Sequence, residues 1–199
     1  DPCHNPTGYT MSSDEWVSLV DTINDLTSDE TPFVLLYDMA YIDYDKRGFD
    51  ASRKNIALLT NLNENAIAIL AFSGSKTLGL YGLRIGAQIA ITKSQENIDE
   101  FYAACEYTGR GKWSSSSILG MNIISEVLTN HKEEFEEELK EASGLLIKRA
   151  NTFIEEAKKN NVKSLPYDCG FFVTIPCDNP KEVYIKKKTR DVYIIPMSN

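Results

Sequence analysis

The chain has 199 residues, 42% hydrophobic and 25% charged with few glycines and prolines, enough for one sizeable globular domain or two small ones with a real core. Its formal charge of −8 argues against a nucleic-acid partner, because phosphate backbones are held by clustered Lys and Arg. No apolar run approaches the roughly 18 residues that suggest a membrane span, and no basic, apolar leader opens the sequence, so a cytoplasmic protein without a membrane partner is expected.

From the N-terminus, Asp1-Pro2-Cys3-His4 leads directly into Asn5-Pro6-Thr7-Gly8. Ser13 to Leu26 carries Trp16, Val17, Leu19, Val20 and Ile23 on a helical stripe, with Ser13 as its N-cap. Pro32 introduces Phe33-Val34-Leu35-Leu36-Tyr37, a continuous apolar run that predicts a strand buried on both faces of a parallel sheet. Ala66 to Phe72 has the same character, and Arg84 to Thr92 predicts a third strand. Runs of this kind separated by helices indicate an α/β architecture.

Beyond Thr92 the pattern becomes mostly helical. Ile98, Phe101, Tyr102 and Cys105 share a helical face, followed by a loop from Gly109 through Arg110, Trp113 and four serines. A helix is expected from about Ile118 to Leu128, then a long one from near His131 to Asn160. In the latter Phe135, Leu139, Ala142, Leu146, Ala150, Phe153 and Ala157 recur at three- and four-residue steps. Its acidic start suits the positive end of the helix dipole, and Lys158-Lys159 suit the other end. Phe171 to Ile175 is expected as a strand, Pro180 to Arg190 as a helix whose solvated side carries Lys186-Lys187-Lys188, and Val192 to Ile195 as a last strand. Cys3, Cys105, Cys169 and Cys177 are scattered without a Cys-x-x-Cys pair or His at zinc spacing, which suits reduced thiols and no metal.

Four short motifs carry the candidate chemistry: Asn5-Pro6-Thr7-Gly8, Asp38-Met39-Ala40-Tyr41, Ser73-Gly74-Ser75-Lys76, and Arg84 eight residues beyond that lysine. Asp38 ends the first apolar run and Ser73 follows the second. Ligands of open α/β sheets bind outside the carboxyl ends of strands, so both stand where a cofactor is expected. Together the motifs offer an amine, a carboxylate, a phenol, an amide and an arginine with serines. Each is what pyridoxal phosphate needs: an imine partner, a partner for the pyridinium nitrogen, donors for the ring oxygen, and a cation for the phosphate.

On these motifs the sequence resembles the class I and II aminotransferases, the aspartate aminotransferase-like, fold-type I pyridoxal-phosphate enzymes. The resemblance implies that Lys76 bonds the cofactor aldehyde and later moves the substrate proton. It makes Asp38 the partner of the ring nitrogen, and Tyr41 and Asn5 donors to the ring oxygen. It assigns the phosphate to Arg84, Ser73 and Ser75. Asn5 would also face substrate, and Arg110, ahead of Trp113-Ser114, matches the segment where aspartate-type relatives bind a distal carboxylate. The implied reaction moves an amino group between an amino acid (aspartate, aromatic or of broad range) and a 2-oxo acid. Carbon–sulfur lyases and the aminotransferase-like effector domains of transcription regulators share the motifs and remain alternatives.

The resemblance also sets the expected layout. Residues 1–142 would be the C-terminal part of a mostly parallel-sheet cofactor domain, and 143–199 most of a small α+β C-terminal domain, joined by the long helix at about 131–160. The upstream half of the large domain, with a phosphate loop and a ring-stacking aromatic, would be missing. The chain would stop at Ser198-Asn199, before the family's carboxylate-binding arginine. A fragment of a homodimeric enzyme, inactive alone, is therefore expected.

Overall fold

The computed structural model describes residues 2–197, so the stop at Ser198-Asn199 lies outside the described residues. Helix α1 spans Ser13–Leu26, and its cap is Ser12 rather than Ser13. The Ser12 hydroxyl accepts from the Glu15 backbone N–H while the Glu15 carboxylate accepts from the Ser12 N–H at 2.8 Å, a capping box that Ser13 lacks the spacing to form. Trp16, Val20 and Ile23 form its buried face, and Trp16 meets the Tyr37 ring edge-on at 4.9 Å.

Strands β1 (Phe33–Asp38), β2 (Ala66–Ser73) and β3 (Gly86–Ile91) form one sheet in the order β1-β2-β3. β1 and β2 are parallel, with Phe33 opposite Ala66 and Asp38 opposite Ala71, so Asp38 and Ser73 finish at the same end of the sheet. Short elements bridge the strands: a turn at Ile42–Tyr44, helix α2 (Phe49–Arg53) and a 3-10 segment at Lys54–Asn61. The core lies between this layer and the sheet, with Ile23, Ile42, Leu59 and Leu62 fully buried beside Ala66, Ala68 and Leu70.

β3 runs antiparallel to β2, Ser73 facing Gly86, so the three-stranded sheet is mixed, with one parallel and one antiparallel pairing. The connection holds only the one-turn helix α3 (Gly74–Thr77) and a turn at Tyr81–Leu83, and it returns the chain at the end it left instead of crossing over. β3 also starts at Gly86, because Arg84 takes a left-handed φ of 52° incompatible with a strand. Finally, β1 is not buried on both faces: it is an edge strand, and Val34 and Leu36 are exposed.

The remainder is helical: α4 (Gln95–Lys112), α5 (Ile118–Asn130), α6 (Lys132–Lys159) and α7 (Pro180–Lys188). α4 absorbs Gly109–Lys112, which the composition placed in a loop; two glycines at a helix end cost little once Trp113 N–H closes on the Gly109 carbonyl. Neither 171–175 nor 192–195 forms a strand. A strand exists only with a partner ladder. One backbone bond, Leu165 N–H to the Thr174 carbonyl at 2.9 Å, touches the first segment, whose Thr174 hydroxyl also donates to the Pro6 carbonyl at 2.8 Å, and Val192, Tyr193 and Ile195 are exposed. Among the described residues no helix is long and apolar enough to cross a membrane, and no cluster of His, Cys, Asp or Glu is arranged to hold a metal ion.

Candidate active site

The parallel pairing of β1 and β2 brings two of the motifs side by side. At the end of β1 the Asp38 carboxylate accepts from the Ala40 N–H at 2.9 Å, an Asx turn that starts the next loop and leaves the carboxylate exposed. Met39 and Ile42 anchor that loop in the core, and Tyr41 is nearly buried between them. At the end of β2 the Ser73 hydroxyl caps α3 by accepting from the Ser75 N–H at 3.2 Å. Gly74 is pressed against Ile85, where a Cβ would stand 3.1 Å from a side-chain methyl. α3 carries Lys76.

Lys76 Nζ lies 4.2 Å from the centroid of the Tyr81 ring and 5.4 Å from that of Tyr41. Partial burial pulls the pKa of its amine down, but the hydroxyls of Tyr41 and Tyr81 outweigh this and raise it above the ordinary lysine value. Behind the lysine, Arg84 Nη1 donates to the buried Ser75 hydroxyl at 3.2 Å and to the Tyr81 carbonyl at 2.8 Å. Its left-handed backbone turns the guanidinium back over α3.

The Asn5-Pro6-Thr7-Gly8 loop, with a cis Asn5–Pro6 bond, is pinned from its flanks. Gly8 N–H donates to the His4 carbonyl at 2.6 Å, and the Gly8 carbonyl accepts from Asp168 and Cys169 at 2.8 and 3.0 Å. Gly8 has φ +75°, and a Cβ there would overlap the Tyr167 ring at 2.2 Å, so this position requires glycine. Cys3 packs with Tyr41, Tyr44 and Cys169 in one small buried cluster, which couples this loop to the Tyr41 loop. Asn5 itself stays exposed. Arg110 is not drawn into this group by its contacts. It sits on the last turn of α4, where among the described residues its guanidinium donates to Ser114 at 3.4 Å.

Neighbours of the lysine lie outside the four motifs. Tyr81 is one of them, and its place five residues beyond Lys76 is the sequence signal for it. Tyr44 donates its hydroxyl to the Lys76 carbonyl at 3.0 Å, and burial raises its own pKa. Phe171 and Phe172, expected in a strand, pack instead on Tyr41 and Tyr44 at centroid distances of 4.6 to 5.9 Å. The Cys3 and Cys169 sulfurs meet at 3.0 Å. That contact raises the Cys3 pKa and lowers that of Cys169 to about 7. A cleft of about 270 Å³ between Leu78, Leu80, Ile124, Val127, His131 and Phe135 includes none of the motif side chains.

The fold is thus α/β with a mixed sheet, and its lysine, carboxylate, phenol and arginine converge at the strand ends. Over residues 1–199 the sequence matches the family described as aminotransferase class I and II. The chain belongs to that family. It is 28% identical over 128 residues to an aspartate aminotransferase of Salmonella typhi, an alignment covering 64% of this chain and 30% of the relative. It is 27% identical over 128 residues to an aromatic-amino-acid aminotransferase of Pseudomonas aeruginosa, covering 63% and 30%. A solved aminotransferase from Anaerococcus prevotii superposes with a TM-score of 0.94 at 33% identity, covering 99% of this chain and 48% of that one. The aromatic-amino-acid aminotransferase of Burkholderia pseudomallei, solved covalently bound to pyridoxal phosphate, matches at TM-score 0.66 and 25% identity, covering 81% and 39%. The chain spans less than half the length of these relatives.

Proposed function

We propose that the full-length protein is a pyridoxal-phosphate aminotransferase that moves an amino group between an amino acid, aspartate or aromatic, and a 2-oxo acid. The observation that carries this reading is the position of the Lys76 amine beside Tyr41 and Tyr81, on a turn flanked by Asp38 and by the Arg84–Ser75 pair. These donors fit the cofactor group by group, with one amine, one carboxylate, phenols and a cation–hydroxyl pair at one end of one sheet.

Pyridoxal phosphate would supply an electron sink for the pair left when a substrate Cα–H bond breaks. Lys76 would hold its aldehyde through the amine and would serve as the base for the Cα proton. Asp38 would face the ring nitrogen. Tyr41 would donate its hydroxyl, and Asn5 its amide N–H, to the ring oxygen. Arg84 would hold the phosphate through charge-assisted N–H bonds, aided by Ser73 and Ser75. Asn5 and Arg110 contribute to substrate binding, Arg110 to a distal carboxylate. Residues 1–142 belong to the cofactor domain and 143–199 to a small domain joined by α6, in a cytoplasmic homodimer. The 199-residue chain alone is a poor catalyst, because loose positioning of the reacting bond costs on the order of a hundredfold.

The test is borohydride reduction of the full-length protein with bound cofactor, followed by peptide mapping, with turnover assayed beside the 199-residue chain. The pyridoxyl label should fall on Lys76. Its capture rate should rise with pH, because only the neutral amine condenses and the Lys76 pKa is raised. Label on another lysine refutes the assignment, and equal turnover of the two polypeptides refutes the inactivity of the shorter one.

A further inference from the structure

Helix α3 is a single turn, too short to hold Lys76 by its own hydrogen bonds, since a helical nucleus is unfavourable until it propagates. Its position is set from outside, and the strongest outside bond comes from a buried charge. The Asp43 side chain is only 2% exposed. One carboxylate oxygen accepts from Thr77 Oγ1 at 2.6 Å, and the other accepts from Arg53 Nη2 at 2.5 Å. Arg53 is itself fixed: Nη1 donates to the Ser52 hydroxyl at 3.0 Å and the Phe49 carbonyl at 3.3 Å, and its guanidinium stacks 3.6 Å from the Phe49 ring. A carboxylate this deeply buried is costly unless it is paired and hydrogen-bonded. Both conditions are met by groups on two other elements.

We propose that Asp43 is a positioning residue for Lys76, a carboxylate bridge from Arg53 on α2 to Thr77 that fixes the turn carrying the amine. The inference rests on reading Lys76 as the residue that bonds the cofactor. Asp43 lies between Tyr41 and Tyr44, so the segment that places a phenol beside the amine also grips the turn beneath it. Tyr44 adds a second hold, from its hydroxyl to the Lys76 carbonyl. The turn is therefore tied at Lys76 through its backbone and at Thr77 through its side chain. The amine has two tasks, bonding the aldehyde and taking a proton at Cα, which demand two reproducible positions. Releasing Thr77 leaves the donor set intact and widens the range of positions.

Thr77→Val removes the hydroxyl while keeping the side-chain shape and leaving Asp43 paired with Arg53; Thr77→Ser restores the hydroxyl. In the full-length protein Thr77→Val should lower kcat on the order of a hundredfold, with KM for the amino donor within about threefold of wild type. The rate at which the apoprotein captures pyridoxal phosphate into a borohydride-reducible bond should fall in parallel. Thr77→Ser should recover most of both rates. Asp43→Asn, which weakens the bridge from the other side, should show the Thr77→Val pattern in the soluble folded fraction. Wild-type kcat and capture rate in Thr77→Val, or equal losses in Val and Ser, overturn the proposal. Mapping the label in wild type separates the two levels: label away from Lys76 overturns the reading beneath it, whereas label on Lys76 with unaffected variants overturns the role of Asp43 alone.

Discussion

Residues up to Ile91 and the helices that follow treat their apolar side chains differently. The first region closes a core around Ile23, Ile42, Leu59 and Leu62, and every strand belongs to it. In α4 to α7 the buried residues are Gly120 and Ala157, while Tyr102, Tyr107, Trp113, Ile118 and Leu119 are exposed. The second region meets the first where Leu139 and Leu146 of α6 and Phe172 pack on the cluster of Cys3, Tyr41, Tyr44 and Cys169, where Gly120 and Ile124 of α5 approach Ile85 and Gly74, and where Asp168 and Cys169 bond the Gly8 carbonyl. Side chains that must hold a fixed geometry are mounted where packing is dense, since a close-packed interior resists small displacements. The contrast places the rigid support of the candidate site in the first region.

The contrast can be tested by separating chemistry from support. Asp38→Asn in the full-length enzyme should lower turnover by about a hundredfold or more, the scale of a misplaced catalytic proton, while most cofactor stays bound. Unfolding should barely change, because the exposed Asp38 side chain makes one bond, to the Ala40 N–H. Near-normal turnover would break the assignment of chemistry to this strand end. Gly8→Ala acts on support instead. A left-handed backbone and an overlap with the Tyr167 ring should together cost about 2–4 kcal/mol, read by denaturant titration. A neutral result would show that the loop is not pinned to residues 167–172. The smallest effect should come from Tyr107→Ser on α4, where the side chain is 84% exposed: a change within about 0.5 kcal/mol in the 199-residue chain. A larger loss in the full-length protein than in this chain would sharpen the comparison by showing that α4 is covered there.

What the sequence disclosed follows the range of the interactions involved. The stripe Trp16, Val20, Ile23 and the apolar runs at Phe33 and Ala66 are local patterns, and they fold as expected. Lys76, Asp38, Tyr41 and Arg84 each stand at a strand end or at a fixed spacing from one, so their common placement at one end of the sheet follows from local patterns. Strand direction was not, since the apolar run of β3 looks the same parallel or antiparallel and only the path of its connection decides. Residues 171–175 and 192–195 have the composition of strands, but a strand also needs a partner that composition does not name. The meeting of Cys3 with Cys169, and the grip of Asp43 on Thr77, join distant positions and leave no periodic trace.

In the 199-residue chain, which spans less than half the length of its relatives, β1 lies open at the edge of the sheet. An edge strand offers unpaired backbone groups as a template on which another chain can build, and the exposed Val34 and Leu36 make this one apolar as well. Pro32 just before the strand and the Asp38 charge at its end act as gatekeepers against such addition. The Asp38 charge thus helps keep the open edge of this chain apart from its copies. Neutralising it should weaken that self-avoidance in the 199-residue chain.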